Sequence, residues 1–272
     1  MSRRTYKIAL YAFLAIALVN SSWLAFVKFN RWREKTRITA AKESFAKRRA
    51  SESNAVSAKV EARQKLDETL NAKRIDLSDY INAPLTASFA PKQAKANNLS
   101  ELNEGVQTLA GVPFDIKGTI QLSGRDLRIY SNTNFPLSAK GIAVSNVCTK
   151  LHILHGSYFV KKLGITIARL ELHYSDGTTE ALPIVSGEHV LDWWAPNYQT
   201  GVKEEWQNVS AEGSELAWVG SNDYIKRRQS HLSLRLFKST FINPRPSLTI
   251  ETIDYISADT AAAPFLLGLT VE

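Results

Sequence analysis

Cysteine is almost missing from this chain of 272 residues: Cys148 stands alone, so no internal disulfide forms and redox chemistry does not reveal the compartment. Glycine and proline are missing from the first quarter. All thirteen Gly lie at or after Gly105 and all nine Pro at or after Pro84, which leaves the first eighty or so positions without a strong helix breaker. Charge is missing between Ile8 and Val27. Also absent are G-x-S-x-G, the P-loop, G-x-G-x-x-G, H-E-x-x-H and the calcium-loop pattern. These absences disfavour an enzyme, and no cofactor or metal is expected.

The uncharged stretch carries the first positive inference. Twenty residues at about 1.5 Å each span roughly 30 Å, the thickness of a bilayer's hydrocarbon core. Arg3, Arg4 and Lys7 precede the stretch, and Lys28, Arg31 and Arg33 follow it. This predicts a single-pass transmembrane anchor within residues 1–30. A cleaved signal peptide is the rival, with an apolar run from Ile8 to Val19 and a cut near Ser21. Trp23 to Val27 prolong the run beyond the 7 to 15 or so residues usual for a signal peptide, which favours the anchor. Basic residues flank both ends, and a strict positive-inside count leaves the large C-terminal part in the cytoplasm.

Residues 1–74 carry 17 Lys plus Arg against 6 Asp plus Glu, whereas residues 75–272 carry 17 against 20. The basic character therefore belongs to the N-terminal quarter, and nucleic acid is disfavoured as a partner of the remainder. Residues 31–74 are rich in Ala, Lys, Arg and Glu, and Glu43 with Lys47 and Glu61 with Lys65 have the favourable i, i+4 order. They read as a basic helical stalk. It either stands in solvent, lies on anionic headgroups, or offers a surface to partner helices.

Residues 75–272 read as one mainly β domain. Leu170, Leu172 and Tyr174 alternate with polar neighbours, and Asp176-Gly177 separates them from Thr178–Val185, the pattern of a hairpin. Further strands are expected at Phe114–Leu122, Gly141–Val147, Lys150–Leu154, Leu216–Val219, His231–Phe237, Ser247–Ser257 and Phe265–Val271, with a short helical turn at Leu99–Glu104. Many short strands between Gly, Pro, Asn and Ser imply an antiparallel β-sandwich or jelly roll.

The phrases DLSDYINAPLT (Asp76 to Thr86), GVPFDIKGTIQLSG (Gly111 to Gly124), LHILHG (Leu151 to Gly156), LPIVSG with DWW (Leu182 to Gly187, Asp192 to Trp194), LRLFKSTFINPRP (Leu234 to Pro246) and AAPFLLGLT (Ala262 to Thr270) together resemble bacterial galactose-binding-like β-sandwich domains. That group includes the carbohydrate-binding modules attached to exported glycosidases. The resemblance implies a jelly roll over nearly all of residues 76–272 and, against the charge count, an extracytoplasmic location.

Among candidate chemical groups, His152 and His155 fall on opposite faces of a strand and do not chelate one ion together. His173, Glu188, His189 and Asp192 match no ligand spacing. Cys148 reads as a small buried hydrophobe. The aromatic segment from Glu188 to Asn208 is more informative: Trp193 and Trp194, if extended, point opposite ways, and Tyr198 and Trp206 follow in a loop. Flat rings beside Asp192 suit a sugar, whose apolar faces stack while its hydroxyls take hydrogen bonds. The candidate ligand site is thus Asp192, Trp193, Trp194, Tyr198 and Trp206. These same rings also suit sealing one end of a sandwich. The expected function is a membrane-anchored, non-catalytic protein that binds a carbohydrate or envelope polymer. A scaffold subunit that binds protein partners, in part through the stalk, is the alternative.

The anchor has a direct test. The mature protein is expected to keep its N-terminus and to stay with membranes through alkaline carbonate washing; a new N-terminus near Ser22 by mass spectrometry would overturn it.

Overall fold

The computed structural model describes residues 73–89, 94–131, 133–196 and 204–272, together with Arg33, Lys47 and Arg49. The chain forms two compact units, Met1–Leu66 and Asp67–Glu272. In the first, Arg33, Lys47 and Arg49 are helical and exposed. The expected anchor lies outside the described residues, as does most of the stalk. Among the described residues no helix is long and apolar enough to cross a membrane.

Among its described residues the second unit has thirteen strands, two short α-helices and two single 3-10 turns, Ser78–Tyr80 and Glu204–Trp206. In chain order the strands and α-helices are β1 (Lys73–Arg74), β2 (Gly105–Leu109), β3 (Val112–Ile116), β4 (Ile120–Gln121), α1 (Arg125–Tyr130), β5 (Ser138–Val147), β6 (Lys150–Tyr158), β7 (Thr166–Tyr174), β8 (Thr179–Val185), β9 (Trp194–Pro196), β10 (Glu215–Gly220), α2 (Asp223–Arg228), β11 (Leu232–Ile242), β12 (Thr249–Ser257) and β13 (Ala263–Val271). A large antiparallel sheet has the order β1-β13-β6-β11-β10, with β4 beside β13 and β9 beside β11. A four-stranded sheet has the order β5-β12-β7-β8, and β2 and β3 form a separate hairpin.

The two larger sheets form a sandwich. Leu151, Ile153, Phe237, Leu266 and Leu269 of the large sheet share one core with Ile142, Ile167, Leu170, Leu172, Ile253 and Tyr255 of the four-stranded sheet. The other face of the large sheet is buried too. Leu154, Tyr158, Leu234, Leu236, Phe265 and Leu267 form a second core with Leu85, Phe89, Leu99, Leu102, Phe114, Ile116, Leu127 and Ile225. The covering layer is therefore the β2–β3 hairpin, residues 85–89 and 94–102, and the two helices. Strand β13 is buried at all nine positions, as a strand must be when both faces are covered.

Two local features set the register. In β13 the pairing with β6 shifts between Leu266 and Gly268, so Leu266, Leu269 and Val271 all reach the sandwich core although strict alternation separates them. Opposite, Gly156 pairs with Phe265, and a Cβ at Gly156 would come within 2.4 Å of the Phe265 ring. The expected β7–β8 hairpin is present. Its loop is a turn closed by Gly177 N–H to Tyr174 O, at 2.9 Å, with Gly177 at φ +81° and Asp176 Oδ1 accepting from Thr178 N at 3.0 Å. Leu99–Glu104 forms turns and no helix; Leu102 N–H meets Leu99 O at 2.9 Å.

β1 lies at the far end of the segment expected to be stalk, and it pairs Lys73 with Val271 and Arg74 with Thr270. The next residue, Ile75, is buried and donates to Leu269 O at 2.9 Å. A fragment beginning at Asp67 is expected to unfold cooperatively with a β-dominated circular dichroism spectrum. One beginning at Leu77 loses β1 and Ile75 and is expected to be less stable by about 2 to 3 kcal/mol, the worth of a buried Ile. Urea titration of the two fragments decides this.

Candidate functional site

Where β6 ends, the covering layer leaves a cavity of about 320 Å³ open over the second core. Its floor is a packed aromatic cluster. The Trp193 ring meets Tyr158 edge-on at 4.7 Å and Phe89 at 5.3 Å, and Tyr158 leans on Phe265 at 4.9 Å. Its walls are two further ring pairs, Trp194 stacked on Tyr224 of α2 at 5.9 Å and Tyr130 of α1 against Phe159 at 5.4 Å. Polar groups interrupt this lining at Asn97, Asp192 and the Asp126–Lys161 ion pair.

Asp192 organises the cavity. Its Oδ2 accepts from Val160 N at 3.0 Å and its Oδ1 from Trp194 N at 2.9 Å, so one carboxylate ties the turn after β6 to the start of β9. Its own carbonyl accepts from Arg235 Nε at 2.9 Å. Loss of solvent raises the Asp192 carboxyl to about 6, against the opposing pull of the backbone N–H groups of Trp194 and Val160 and the charge of Arg235. The turn it anchors is strained: Phe159 has φ +58°, a left-handed conformation that costs a bulky residue about 1 to 2 kcal/mol.

Two lining residues carry a buried polar atom that has no partner among the described residues. The Tyr158 hydroxyl and the Trp194 Nε1–H are both buried and make no hydrogen bond. Burial, followed by the charge of Asp192, pushes the Tyr158 phenol up, so it stays protonated as a donor and acceptor. An unpaired buried polar group costs about 1 to 3 kcal/mol, a cost that a ligand completing the bond removes.

The other titratable groups lie elsewhere. His155 shares the parity of Leu151 and Ile153 along β6 and is fully buried, and burial lowers it to about 3. The Ser239 hydroxyl donates to His189 O at 2.9 Å, so the 2.9 Å contact between Ser239 Oγ and His155 Nε2 is a bond donated by the ring. The imidazole therefore does not act as a base toward Ser239. His152, of opposite parity, bonds Thr240 and Glu272. His189 accepts from Val185 N and stacks on Phe241. His173 lies with Glu171 and Asp254 of the four-stranded sheet, their ligand atoms within 4.8 Å of one another, a grouping able to hold a metal ion. Protein partners engage both carboxylates there: Arg169 pairs with Glu171 at 3.2 Å and Gly141 N–H with Asp254 at 2.7 Å. Cys148 is buried.

Comparison of the chain with protein-family models, curated proteins and solved structures finds no match.

Three of the five expected site residues, Asp192, Trp193 and Trp194, line the cavity together. The two Trp side chains do not diverge as an extended backbone requires, because the Asp192 carboxylate bends the chain by accepting from Trp194 N. Trp193 is buried and Trp194 partly so. Trp206 does not line the cavity, although Arg235 bridges its carbonyl to that of Asp192. It packs at the margin of the sandwich core, and its carbonyl accepts from Arg235 Nη1 at 3.0 Å. Tyr198 lies outside the described residues. Sequence reasoning missed Tyr158, Phe159, Tyr130, Tyr224 and Phe89, which come from four distant segments. The adjacent aromatics Tyr158-Phe159 at the end of a strand were the one available signal.

The raised Asp192 carboxyl fixes the sign of a pH effect. Between about pH 4 and pH 6 the unfolded Asp has lost its proton and the folded one has kept it. Stability contributed at this residue is thus present below pH 4, falls as pH rises through about 6, and is level above it. The loss across the window is on the order of 2 to 3 kcal/mol. Urea unfolding at pH 4 and pH 7 is expected to show that difference shrinking in Asp192→Asn.

Proposed function

We propose that this chain is a single-pass membrane-anchored, non-catalytic binding protein whose β-sandwich unit takes a carbohydrate or envelope polymer in the aromatic cavity. The observation that carries the reading is a cavity lined by aromatic faces, two of whose residues, Tyr158 and Trp194, carry a buried hydroxyl and a buried Nε1–H without a hydrogen-bond partner among the described residues. A saccharide matches such a lining: its apolar ring faces stack on the aromatics, and its hydroxyl oxygens accept from the two groups once a side-chain shift brings them to the cavity surface. The volume of about 320 Å³ lies within the range of small-ligand pockets and holds a sugar unit of a longer chain. In this reading the sandwich is a galactose-binding-like jelly roll, the uncharged Ile8–Val27 stretch is the anchor, and the binding unit is extracytoplasmic. The cavity's acid, Asp192, is engaged by two backbone N–H groups and serves to hold the walls in place.

Tyr158→Phe separates binding from packing. It deletes the unpartnered hydroxyl and keeps the ring, so stability is expected to hold or rise slightly while saccharide affinity falls about tenfold, the worth of one hydrogen bond. Trp194→Phe is expected to weaken binding similarly, whereas Trp193→Ala removes a floor residue and costs about 3 to 5 kcal/mol of stability. A glycan array with the full-length chain, followed by titration calorimetry on the best binder, makes the measurement. Unchanged affinity in both Tyr158→Phe and Trp194→Phe would remove the saccharide from this cavity, and protein partners in place of glycans would establish the scaffold function.

A further inference from the structure

A second cavity, of about 410 Å³, adjoins the first and shares Asp126, Phe159 and Lys161 with it. Its character is different. Arg125, Lys161 and Lys162 line it, with Asp126 as the acid and Val160, Ile165, Ile167 and residues 260–262 as the rest of the wall. Lys161 is paired with Asp126. Arg125 and Lys162 are exposed and have no side-chain partner among the described residues. Arg125 stands close enough to Lys161 to disfavour its charge, so positive charge is concentrated here in a region, residues 75–272, whose acids outnumber its bases by 20 to 17.

The backbone that carries the basic groups is held in place. The turn carrying Lys161 and Lys162 is pinned by Val160 N–H to Asp192 at 3.0 Å, by the Ser186 hydroxyl to Lys162 O at 2.8 Å, and by Gly164 N–H to Ser186 O at 2.7 Å. Arg125 is fixed at its backbone by a 2.8 Å bond to Thr260 O. Cationic side chains on a rigid frame, beside a site with buried unsatisfied donors, match a ligand that is sugar-like at one end and anionic at the other.

We propose that the ligand of the aromatic cavity is an acidic saccharide, its ring among Tyr158, Trp193 and Trp194 and its carboxylate or phosphate against Arg125 and Lys162 in the adjoining cavity. The inference rests on the saccharide reading of the first cavity and narrows it to one charge class. Asp126 then sets selectivity: by neutralising Lys161 it limits the positive charge offered to the anion.

Titration calorimetry of the full-length chain with two matched pairs provides the test: trigalacturonate against neutral trigalactose, and galactose 6-phosphate against galactose. The acidic member of at least one pair is expected to bind tenfold or more tightly than its neutral partner, as a charge-assisted hydrogen bond confers. That advantage is expected to shrink as salt is raised towards 1 M, where the screening length falls to about 3 Å. The double variant Arg125→Ala/Lys162→Ala is expected to erase the advantage, and Asp126→Asn, which frees Lys161, to widen it, a gain that misfolding cannot mimic. Equal affinity within both pairs, with binding present, overturns the acidic class and leaves the saccharide reading standing. Absence of binding to all four sugars, if a broad glycan array is also blank, overturns the saccharide reading itself.

Discussion

Burial of the large sheet on both faces is the constraint from which the rest of the architecture follows. β6 and β13 lie side by side in its middle, and both are buried over almost their whole length. A sheet of this kind needs a cover on each side, because exposing either face would leave a broad apolar surface in water. The four-stranded sheet covers one side with regular, alternating strands. The other side is covered by pieces: a two-stranded hairpin, two six-residue helices, and residues 85–89 and 94–102. Pieces tile a surface less completely than a sheet does, and the cavity opens where α1, α2 and the described residues Phe89, Ala94 and Asn97 meet around the end of β6.

This division distributes strain and stability unevenly. The sandwich core holds polar groups too, and many are tied internally: His155, Ser239, Ser214 and His189 bond one another, and the Asn243 side chain links Tyr174 to Cys148, although His155 Nδ1 and the Tyr255 hydroxyl have no partner among the described residues. Around the cavity the bookkeeping is left open, with two donors unpaired, a carboxyl raised by burial and an aromatic residue in a left-handed conformation. Each feature opposes folding by an amount comparable to one good interaction, and together they are sustained only because the aromatic floor beneath them is densely packed.

Legibility in the sequence follows periodicity. The long strands β5 to β8 and β10 to β13 announce themselves by alternation or by continuous apolar runs, and the Asp176-Gly177 turn by its residues. β1, β4 and β9 are two or three residues long, too short for any pattern, and α1 and α2 span less than two turns each. The N-cap of α2 shows the problem: Asn222 accepts from Ile225 N, a local bond visible in principle, but it also donates to Asn97 and to Asn98 O, which no local reading anticipates. The candidate site divides in the same way. Asp192, Trp193 and Trp194 were legible as a cluster because they are neighbours in the chain. Trp206 was drawn in by sequence proximity; Arg235 holds its carbonyl near that of Asp192, but its ring packs at the margin of the sandwich core and does not line the cavity.

The aromatic lining shows why such a site resists local reading. Its parts come from α1, the end of β6, the 192–194 bend and α2, and the groups that meet there, such as Tyr130 with Phe159 and Trp194 with Tyr224, are 29 and 30 positions apart. Only the register of the large sheet makes them neighbours. Ser157 bridges Asp192 directly, Trp193 N–H bonds Ser157 O, and Arg235 N–H bonds Trp193 O, so the bend is bound to both β6 and β11. The residues that project into the cavity are therefore attached to the most deeply buried strands, while those on its rim belong to short elements with few constraints. A rigid floor and a replaceable rim allow the rim residues to change without disturbing the fold beneath.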